Sequence, residues 1–169
     1  MATSLKTVIN LMLSASLSNP LDLVTGAAHM EYPYKKTWTN GTTIDKADLV
    51  WSDTRTVAAS TTDPLDLAGS LSSVYGATLT FVELKAVLVV ASTANTNNVR
   101  VNRPASNGVP LFLAASDGID VPPGGCFFWA CPADGKVTVT ASTGDILNFD
   151  NSSSGTSVTY DIVLIGASA

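Results

Sequence analysis

Residues 4–17 read Ser4-Leu5-Lys6-Thr7-Val8-Ile9-Asn10-Leu11-Met12-Leu13-Ser14-Ala15-Ser16-Leu17. Apolar side chains occupy most of the odd positions, whereas polar ones such as Lys6, Asn10 and Ser14 stand between them. This period of two predicts a long amphipathic β-strand. A helix through the same residues would scatter the serines around its surface, although Val8 and Met12 keep that alternative open.

Further segments with strand character follow at short intervals, and turn-forming residues separate most of them. Typical turns are Asn107-Gly108, Asp134-Gly135 and the Pro122-Pro123-Gly124-Gly125 segment. The predicted strands are Glu31–Thr39, Leu49–Ala58, Thr78–Ala91, Val99–Asn102, Val109–Leu113, Gly125–Cys131, Val137–Ala141, Ile146–Phe149 and Val158–Ile165. Many short strands with regular turns predict an all-β chain, folded as an antiparallel β-sandwich of jelly-roll type.

Two of the predicted strands contain a run that is apolar at every position. The two runs are Ala86-Val87-Leu88-Val89-Val90 and Ile162-Val163-Leu164-Ile165. A strand that is apolar on both faces is buried on both faces. We therefore expect both segments to form central strands of a sheet.

The pattern divides the chain into an arm and one domain. Residues 1–28 form a predicted N-terminal arm, which we expect to pair with the sheet or with a neighbouring subunit. Residues 29–169 form a single predicted β-sandwich domain, since a chain of this length can bury one core without disulfides or metals.

A short internal repeat links the arm to the domain. Residues 15–23 and residues 59–67 match at an offset of 44 (64 minus 20), with Ala, Ser, Pro, Leu, Asp and Leu in common. Each copy predicts a strand that ends at Asn-Pro or Asp-Pro, then a turn, then two leucines on one face. The repeat suggests that the arm copies an edge strand of the domain.

The composition excludes two classes of partner. Nine basic residues stand against fourteen acidic ones, and the formal net charge of −5 lacks the basic footprint that nucleic acids require. No stretch reaches the eighteen consecutive apolar residues of a spanning helix, so we expect no membrane partner. All the acidic residues except Glu31 and Glu83 are Asp, which favours turns over helices.

Residues that could support catalysis are sparse. His29 is the only histidine and has no partner at a catalytic or metal-binding spacing, and no nucleotide-binding or nucleophile motif is present. Glu31 and Glu83 lie in different predicted strands, which leaves a glycoside hydrolase pair open. Asp53 and Arg55 share one face of a strand, as a structural pair or a subunit contact would require. We predict no enzymatic activity and no cofactor.

Metal binding and cysteine chemistry are also disfavoured. Asp117, Asp120, Asp145 and Asp150 lack the closing glutamate of a calcium loop, and turn formation explains them better. The two cysteines, Cys126 and Cys131, would point to opposite faces of one strand. We expect two free thiols, mostly buried, and no metal site.

An aromatic stripe follows the first turn of the chain. Tyr32, Tyr34 and Trp38 alternate on one face of a predicted strand. Such rings form either a sugar-stacking platform or a core or interface stripe, and the second interpretation is the commoner one.

From Trp38 onward the sequence resembles a set of small virion proteins of tailed bacteriophages. The resemblance covers most of the chain. It is carried by Trp38-Thr39-Asn40-Gly41-Thr42, Val50-Trp51-Ser52-Asp53-Thr54-Arg55-Thr56-Val57-Ala58-Ala59-Ser60, Leu65-Asp66-Leu67-Ala68-Gly69, Gly76-Ala77-Thr78-Leu79-Thr80-Phe81, Lys85-Ala86, Asn95-Thr96-Asn97-Asn98-Val99, Pro122-Pro123-Gly124-Gly125, Thr143-Gly144-Asp145-Ile146-Leu147 and Val158-Thr159-Tyr160-Asp161-Ile162-Val163-Leu164-Ile165-Gly166.

The resemblance implies a decoration or cement protein on the surface of an icosahedral capsid. Its partners would be the major capsid protein of the same virion and further copies of this chain, as a trimer or a dimer. A tail, connector or fibre component and a carbohydrate-binding or adhesive module are the alternatives. The residues expected at subunit interfaces are Leu5, Ile9, Leu11, Leu13, Tyr32, Tyr34, Trp38 and Trp51.

Overall fold

The computed structural model describes residues 4–131 and 137–169, and every regular element in these residues is a β-strand. The turn predicted at Asp134-Gly135 and the first three residues of the arm lie outside them. The strands are β1 (Thr7–Pro20), β2 (Thr25–Trp38), β3 (Leu49–Val57), β4 (Thr62–Asp66), β5 (Ala68–Ser72), β6 (Thr78–Thr80), β7 (Glu83–Ala91), β8 (Val99–Asn102), β9 (Gly118–Val121), β10 (Cys126–Ala130), β11 (Val137–Thr138), β12 (Ile146–Asn151) and β13 (Val158–Ala167).

The body of the protein is an antiparallel β-sandwich, as predicted. One sheet has the order β10-β7-β13-β3, with β11 paired to β7, and the other has the order β4-β12-β8-β9. Strands β5 and β6 form a small additional sheet. The all-β fold is thus confirmed. Along each strand the inward-facing side chains alternate with outward-facing ones, and the inward-facing side chains of the two sheets form the shared core.

The core lies between the two large sheets. Val87 and Val89 of β7 pack there beside Ile162 and Leu164 of β13, and all four side chains are buried. Both strands have neighbours on either side in the sheet order, so their central position is confirmed, but the predicted burial of both faces is not complete, since Leu88, Val90 and Val163 are only half-buried. Phe149 stacks on Tyr160 in the same interior, with ring centroids 4.6 Å apart.

The arm differs from its predicted extent. Strands β1 and β2 pair along their whole length, from Thr7 opposite Trp38 to Pro20 opposite Thr25. The predicted boundary at residue 28 therefore falls inside β2, and the unit is a hairpin that ends at Trp38. In the described part of the chain its strands pair only with each other.

Some other strand predictions need correction. Residues 78–91 form two strands because Phe81 N–H donates to Leu67 O and Val82 N–H donates to Ala167 O, which carries the chain between sheets. The predicted strand at 109–113 is wrong, since Leu111 N–H donates back to Val109 O in a tight turn. Strands β5 and β9 are not predicted, and β4 is predicted only in part, as the strand that ends at Asp63-Pro64 in the second copy of the repeat.

Candidate assembly surface on the hairpin

The two faces of the hairpin differ in chemistry. Residues directly opposite one another in the register point to the same face of an antiparallel pair. Leu11 lies opposite Tyr34, and Leu13 lies opposite Tyr32. The apolar hairpin face consists of Leu11, Leu13, Ala15, Leu17, Ala28, Met30, Tyr32 and Tyr34.

The other face of the hairpin is mainly polar. It carries Lys35 and Glu31 opposite Asn10 and Ser14, together with His29. Met12 is an apolar exception. The charged side chains of Glu31 and Lys35 thus lie on this second face and Asp22 lies at the tip, whereas Lys36 lies on the side of the apolar hairpin face, opposite Ile9 where the ribbon meets the body.

The apolar hairpin face is open to solvent. Leu13 is 60% exposed, Tyr32 68% and Leu17 76%, and exposure is also high at Leu11 and Met30. Tyr34 is half-buried. The tip adds Leu21, Leu23 and Val24, which are also exposed. A contiguous apolar surface of this kind marks an interaction site.

The base of the hairpin is held on the body by a second hydrophobic cluster. Trp38, which is 1% exposed, packs with Ala47, Ala86 and Ile165, and Ile9 covers the same cluster. We call this cluster the hairpin base. It fixes the direction in which the hairpin leaves the body.

Polar contacts reinforce the hairpin base. Leu5 N–H donates to Asn40 Oδ1 at 2.8 Å, and Lys36 forms an ion pair with Asp45. The buried Lys85 donates from Nζ to Thr43 O at 3.1 Å and to Lys46 O at 2.6 Å, so it ties the following loop to the sheet.

The predicted interface residues separate into two groups. Ile9, Leu11, Leu13, Tyr32 and Tyr34 share one face of the hairpin, as the alternation indicates. Leu5 is half-buried and packs against the hairpin base.

Two predicted aromatic anchors are instead buried within their own chain. Trp38 fills the hairpin base, and Trp51 is 8% exposed in the main core. Trp38 ends β2 and Trp51 lies within β3, and each ring packs into a hydrophobic cluster of its own chain. Large aromatic side chains are typical of interfaces, and they are equally typical of an intramolecular core.

Four residues of the face were not predicted as contacts: Ala15, Leu17, Ala28 and Met30. Leu17 continues the odd-numbered alternation of β1, so its signal was present in the sequence. Met30 and Ala28 lie in a part of β2 that reads Gly26-Ala27-Ala28-His29-Met30, where small residues hide the period of two.

Asp53 and Arg55 form part of an intramolecular ion-pair cluster. Arg55 Nε lies 2.5 Å from Asp63 Oδ2, and Arg55 Nη1 lies 3.2 Å from Asp53 Oδ2. Tyr160 Oη donates to Asp63 Oδ2 at 2.9 Å. The hydrogen bonds from Arg55 lower the pKa of Asp63, while burial and the nearby Asp63 charge raise the pKa of Tyr160. The cluster joins β3, β4 and β13.

The two glutamates do not come together. Glu31 lies on the polar face of the hairpin, seven residues from Trp38, which corresponds to about 24 Å along a strand. Glu83 is buried in β7, with its Oε2 3.2 Å from Lys85 Nζ. His29 is exposed on the hairpin, opposite Ser16. The geometry therefore does not form the carboxylate pair of a glycosidase from these residues.

Of the four aspartates considered for calcium, Asp117 and Asp145 make turn contacts as expected, whereas Asp120 lies in β9 and Asp150 lies in β12, where it accepts from Thr62 Oγ1 at 2.6 Å. Asp117 accepts from Ala114 N–H at 2.9 Å, and Asp145 accepts from Ser142 N–H at 2.5 Å. Within residues 4–131 and 137–169 no cluster of three or more metal-ligating side chains occurs.

Both cysteines are free thiols. Cys131 is buried, and burial raises its pKa. Cys126 is exposed, contrary to expectation, because it begins β10 at the end of a turn.

No family model, curated protein or solved structure matches the chain. No helix long and apolar enough to span a membrane occurs among the residues that the structure describes.

Proposed function

We propose that this chain is a structural subunit of a tailed-bacteriophage virion, and specifically a decoration or cement protein on the capsid surface. The observation that carries the proposal is the hairpin, whose apolar face is left exposed by the residues of its own chain that the structure describes. A subunit that acts by assembly needs such a surface. The resemblance from Trp38 onward indicates the kind of particle.

We further infer that the β-sandwich is a jelly roll. Apart from the two-residue β11, the two large sheets contain eight strands, which are in chain order β3, β4, β7, β8, β9, β10, β12 and β13. One sheet contains the first, eighth, third and sixth of them, and the other contains the second, seventh, fourth and fifth. Every connection except that from β8 to β9 then crosses between sheets. Viral capsid domains and lectin domains both use jelly rolls.

The proposed role is thermodynamic. A protein that binds the assembled shell, and not the free capsid subunits, stabilises the shell by mass action. The body would lie on the major capsid protein, and the hairpin would reach a neighbouring molecule. No reaction is needed, and the chain would work as a static part present in many copies.

The number of copies per virion tests this proposal. Virions of the phage that encodes the chain would be purified, and the ratio of this chain to the major capsid protein measured by quantitative mass spectrometry or calibrated gel densitometry. We expect on the order of hundreds of copies, since icosahedral shells present many equivalent sites.

Other outcomes would move the function elsewhere. A handful of copies, or about a dozen, would place the chain in the neck, tail or fibre, as the symmetry of those parts dictates. No copies at all would overturn the virion proposal and favour an adhesive or carbohydrate-binding β-sandwich.

A further inference from the structure

The apolar hairpin face is not covered by any part of residues 4–131 and 137–169. Leu11, Leu13, Leu17, Met30 and Tyr32 are each more than half exposed. A two-stranded ribbon is at best marginally stable in water by itself. The hairpin base supports only one end of this ribbon.

We propose that the cover is the same face of a second copy of this chain, so that subunits self-associate ribbon against ribbon before they reach any larger particle. This inference deepens the proposed function by naming the partner of its site. The contact is isologous, because each copy contributes the same surface around a symmetry axis.

The size of the surface supports this partner. Each large apolar side chain offers on the order of 100 Å² of uncovered area, so the eight residues of the face together offer roughly 700 Å². Two facing copies would then bury about 1,400 Å², which is the size of a specific protein interface. Ribbons packed in this way would lie about 10 Å apart, as the sheets of a sandwich do.

The charge distribution supports it as well. The eight residues of the apolar hairpin face are uncharged, and Lys36, on the same side of the ribbon opposite Ile9, is ion-paired with Asp45, so neither copy would bury an unpaired charge on contact. Lys35 and Glu31 point away from the contact and would stay in water at its outer surface. A net charge of −5 on each chain makes an uncharged contact surface all the more necessary for self-association.

Leu13 and Met12 provide a matched pair of positions for the test. They are adjacent in β1, are 60% and 59% exposed, and point to opposite faces. A lysine at either position changes the charge and strand propensity of the hairpin equally. Only Leu13→Lys places the charge on the apolar hairpin face.

The experiment compares the full chain with Leu13→Lys and Met12→Lys by size-exclusion chromatography with light scattering, at roughly 1–100 μM, near the affinities of such interfaces. We expect the unchanged chain and Met12→Lys to elute as dimers, since an isologous contact joins two copies. Leu13→Lys should be a monomer or should associate at least about tenfold more weakly, since it would bury an unpaired charge. Far-ultraviolet circular dichroism would check that each variant is folded.

Several results would overturn the inference. A full chain that is monomeric throughout the range would do so, as would equal effects of the two lysine substitutions. If Leu13→Lys does not fold, hydrogen exchange on the unchanged chain at increasing concentration tests self-association instead. Amides of β1 and β2 should then gain protection as concentration rises, and unchanged exchange would count against self-association.

The two proposals fail separately. A monomeric chain present in hundreds of copies on virions would leave the decoration role intact and remove the ribbon contact. An oligomer that depends on Leu13 but is absent from virions would retain the contact and remove the decoration role.

Discussion

Arg55 of β3 and Asp63 of β4 form a two-point ion pair between the edge strands of the two large sheets. The Nε–Oδ2 and Nη2–Oδ1 distances are 2.5 and 2.7 Å. Both side chains are partly buried. Such a paired geometry gives a charged hydrogen bond more strength and direction than a single contact. The pair therefore closes one side of the sandwich.

Replacement of Asp63 by asparagine should lower the free energy of unfolding at pH 7 by about 2 kcal/mol, because charged hydrogen bonds are lost. The hydrogen bonds from Arg55 lower the pKa of Asp63 in the folded state. The unfolded state therefore takes up a proton first as the pH falls below about 4, and the stability from this pair is lost there. Urea unfolding at pH 7, 5 and 3 would measure the free energy of unfolding, which should decrease less between pH 7 and pH 3 for Asp63→Asn than for the unchanged chain.

Asp120→Asn is the control for that prediction, since Asp120 is an exposed carboxylate on β9. It should leave the pH dependence as it is. If the free energy of unfolding falls with pH as steeply for Asp63→Asn as for the unchanged chain, the Arg55–Asp63 pair does not cause the loss of stability in acid.

Replacement of Tyr160 by phenylalanine should weaken the loss of stability in alkali. Tyr160 is fully buried, and burial beside Asp63 raises its pKa above the ordinary value of about 10. Above that pH the unfolded chain loses the phenol proton and the folded chain keeps it, so stability falls as the pH rises. Chemical unfolding at pH 8 and 11 should show a smaller decrease in the free energy of unfolding for Tyr160→Phe than for the unchanged chain. Tyr75→Phe, at an exposed tyrosine, should not change the decrease.

Gly166→Ala should destabilise the body severely. A Cβ at this position would lie 2.1 Å from Glu83 O and 2.6 Å from Phe81 Cδ1, next to the irregularity in the pairing of β13 with β7. Overpacking against backbone costs about 3 kcal/mol or more. Thermal unfolding should show a large decrease in Tm, whereas Gly144→Ala, with no atom closer than 3.8 Å, should stay within about 0.5 kcal/mol.

Lys85→Met should loosen the hairpin base. It removes the donor to Thr43 O and Lys46 O and the ion pair of Lys85 Nζ with Glu83 Oε2, which lie 3.2 Å apart. Breaking a buried pair from one side costs about 3 kcal/mol or more. The double variant Lys85→Met with Glu83→Gln should recover part of this loss in the unfolding free energy. Faster hydrogen exchange at residues 43–46 would report the released loop.

Removal of the projecting part of the hairpin should abolish self-association and leave the body folded. Asn10 and Lys35 are opposite one another, so an Asn-Gly turn can join them in place of residues 11–34. Ile9 and Trp38 remain in the hairpin base. Light scattering should give a monomer, and near-ultraviolet circular dichroism should report intact core packing. An oligomer of unchanged size would show that the body carries the contact.

The alternation in β1 and the apolar runs of β7 and β13 could be predicted from the sequence because each depends on a strict local pattern. The hairpin partner β2 could not be predicted in full, since residues 25–31 lack such a pattern. Their strand conformation is imposed by pairing with β1. The residues of the apolar hairpin face could therefore be predicted on β1 but only in part on β2.

The internal repeat shows why local sequence is insufficient. Leu21 and Leu23 are exposed at the hairpin tip, where Leu21 N–H donates to Val24 O in a turn. Leu65 and Leu67, their counterparts, are buried in the core. The predicted turn after proline is right for the first copy and wrong for the second, because β4 continues through Pro64 on an edge where no amide is needed.

The strand register of the hairpin also constrains how such a protein can diverge. Inserting or deleting one residue within β1 would move every side chain beyond that point to the opposite face and would mix leucines with charges. We expect natural variants of the hairpin to differ in length by even numbers of residues in each strand. Each step of two would move the tip by about 7 Å and so reset the spacing between neighbouring bodies.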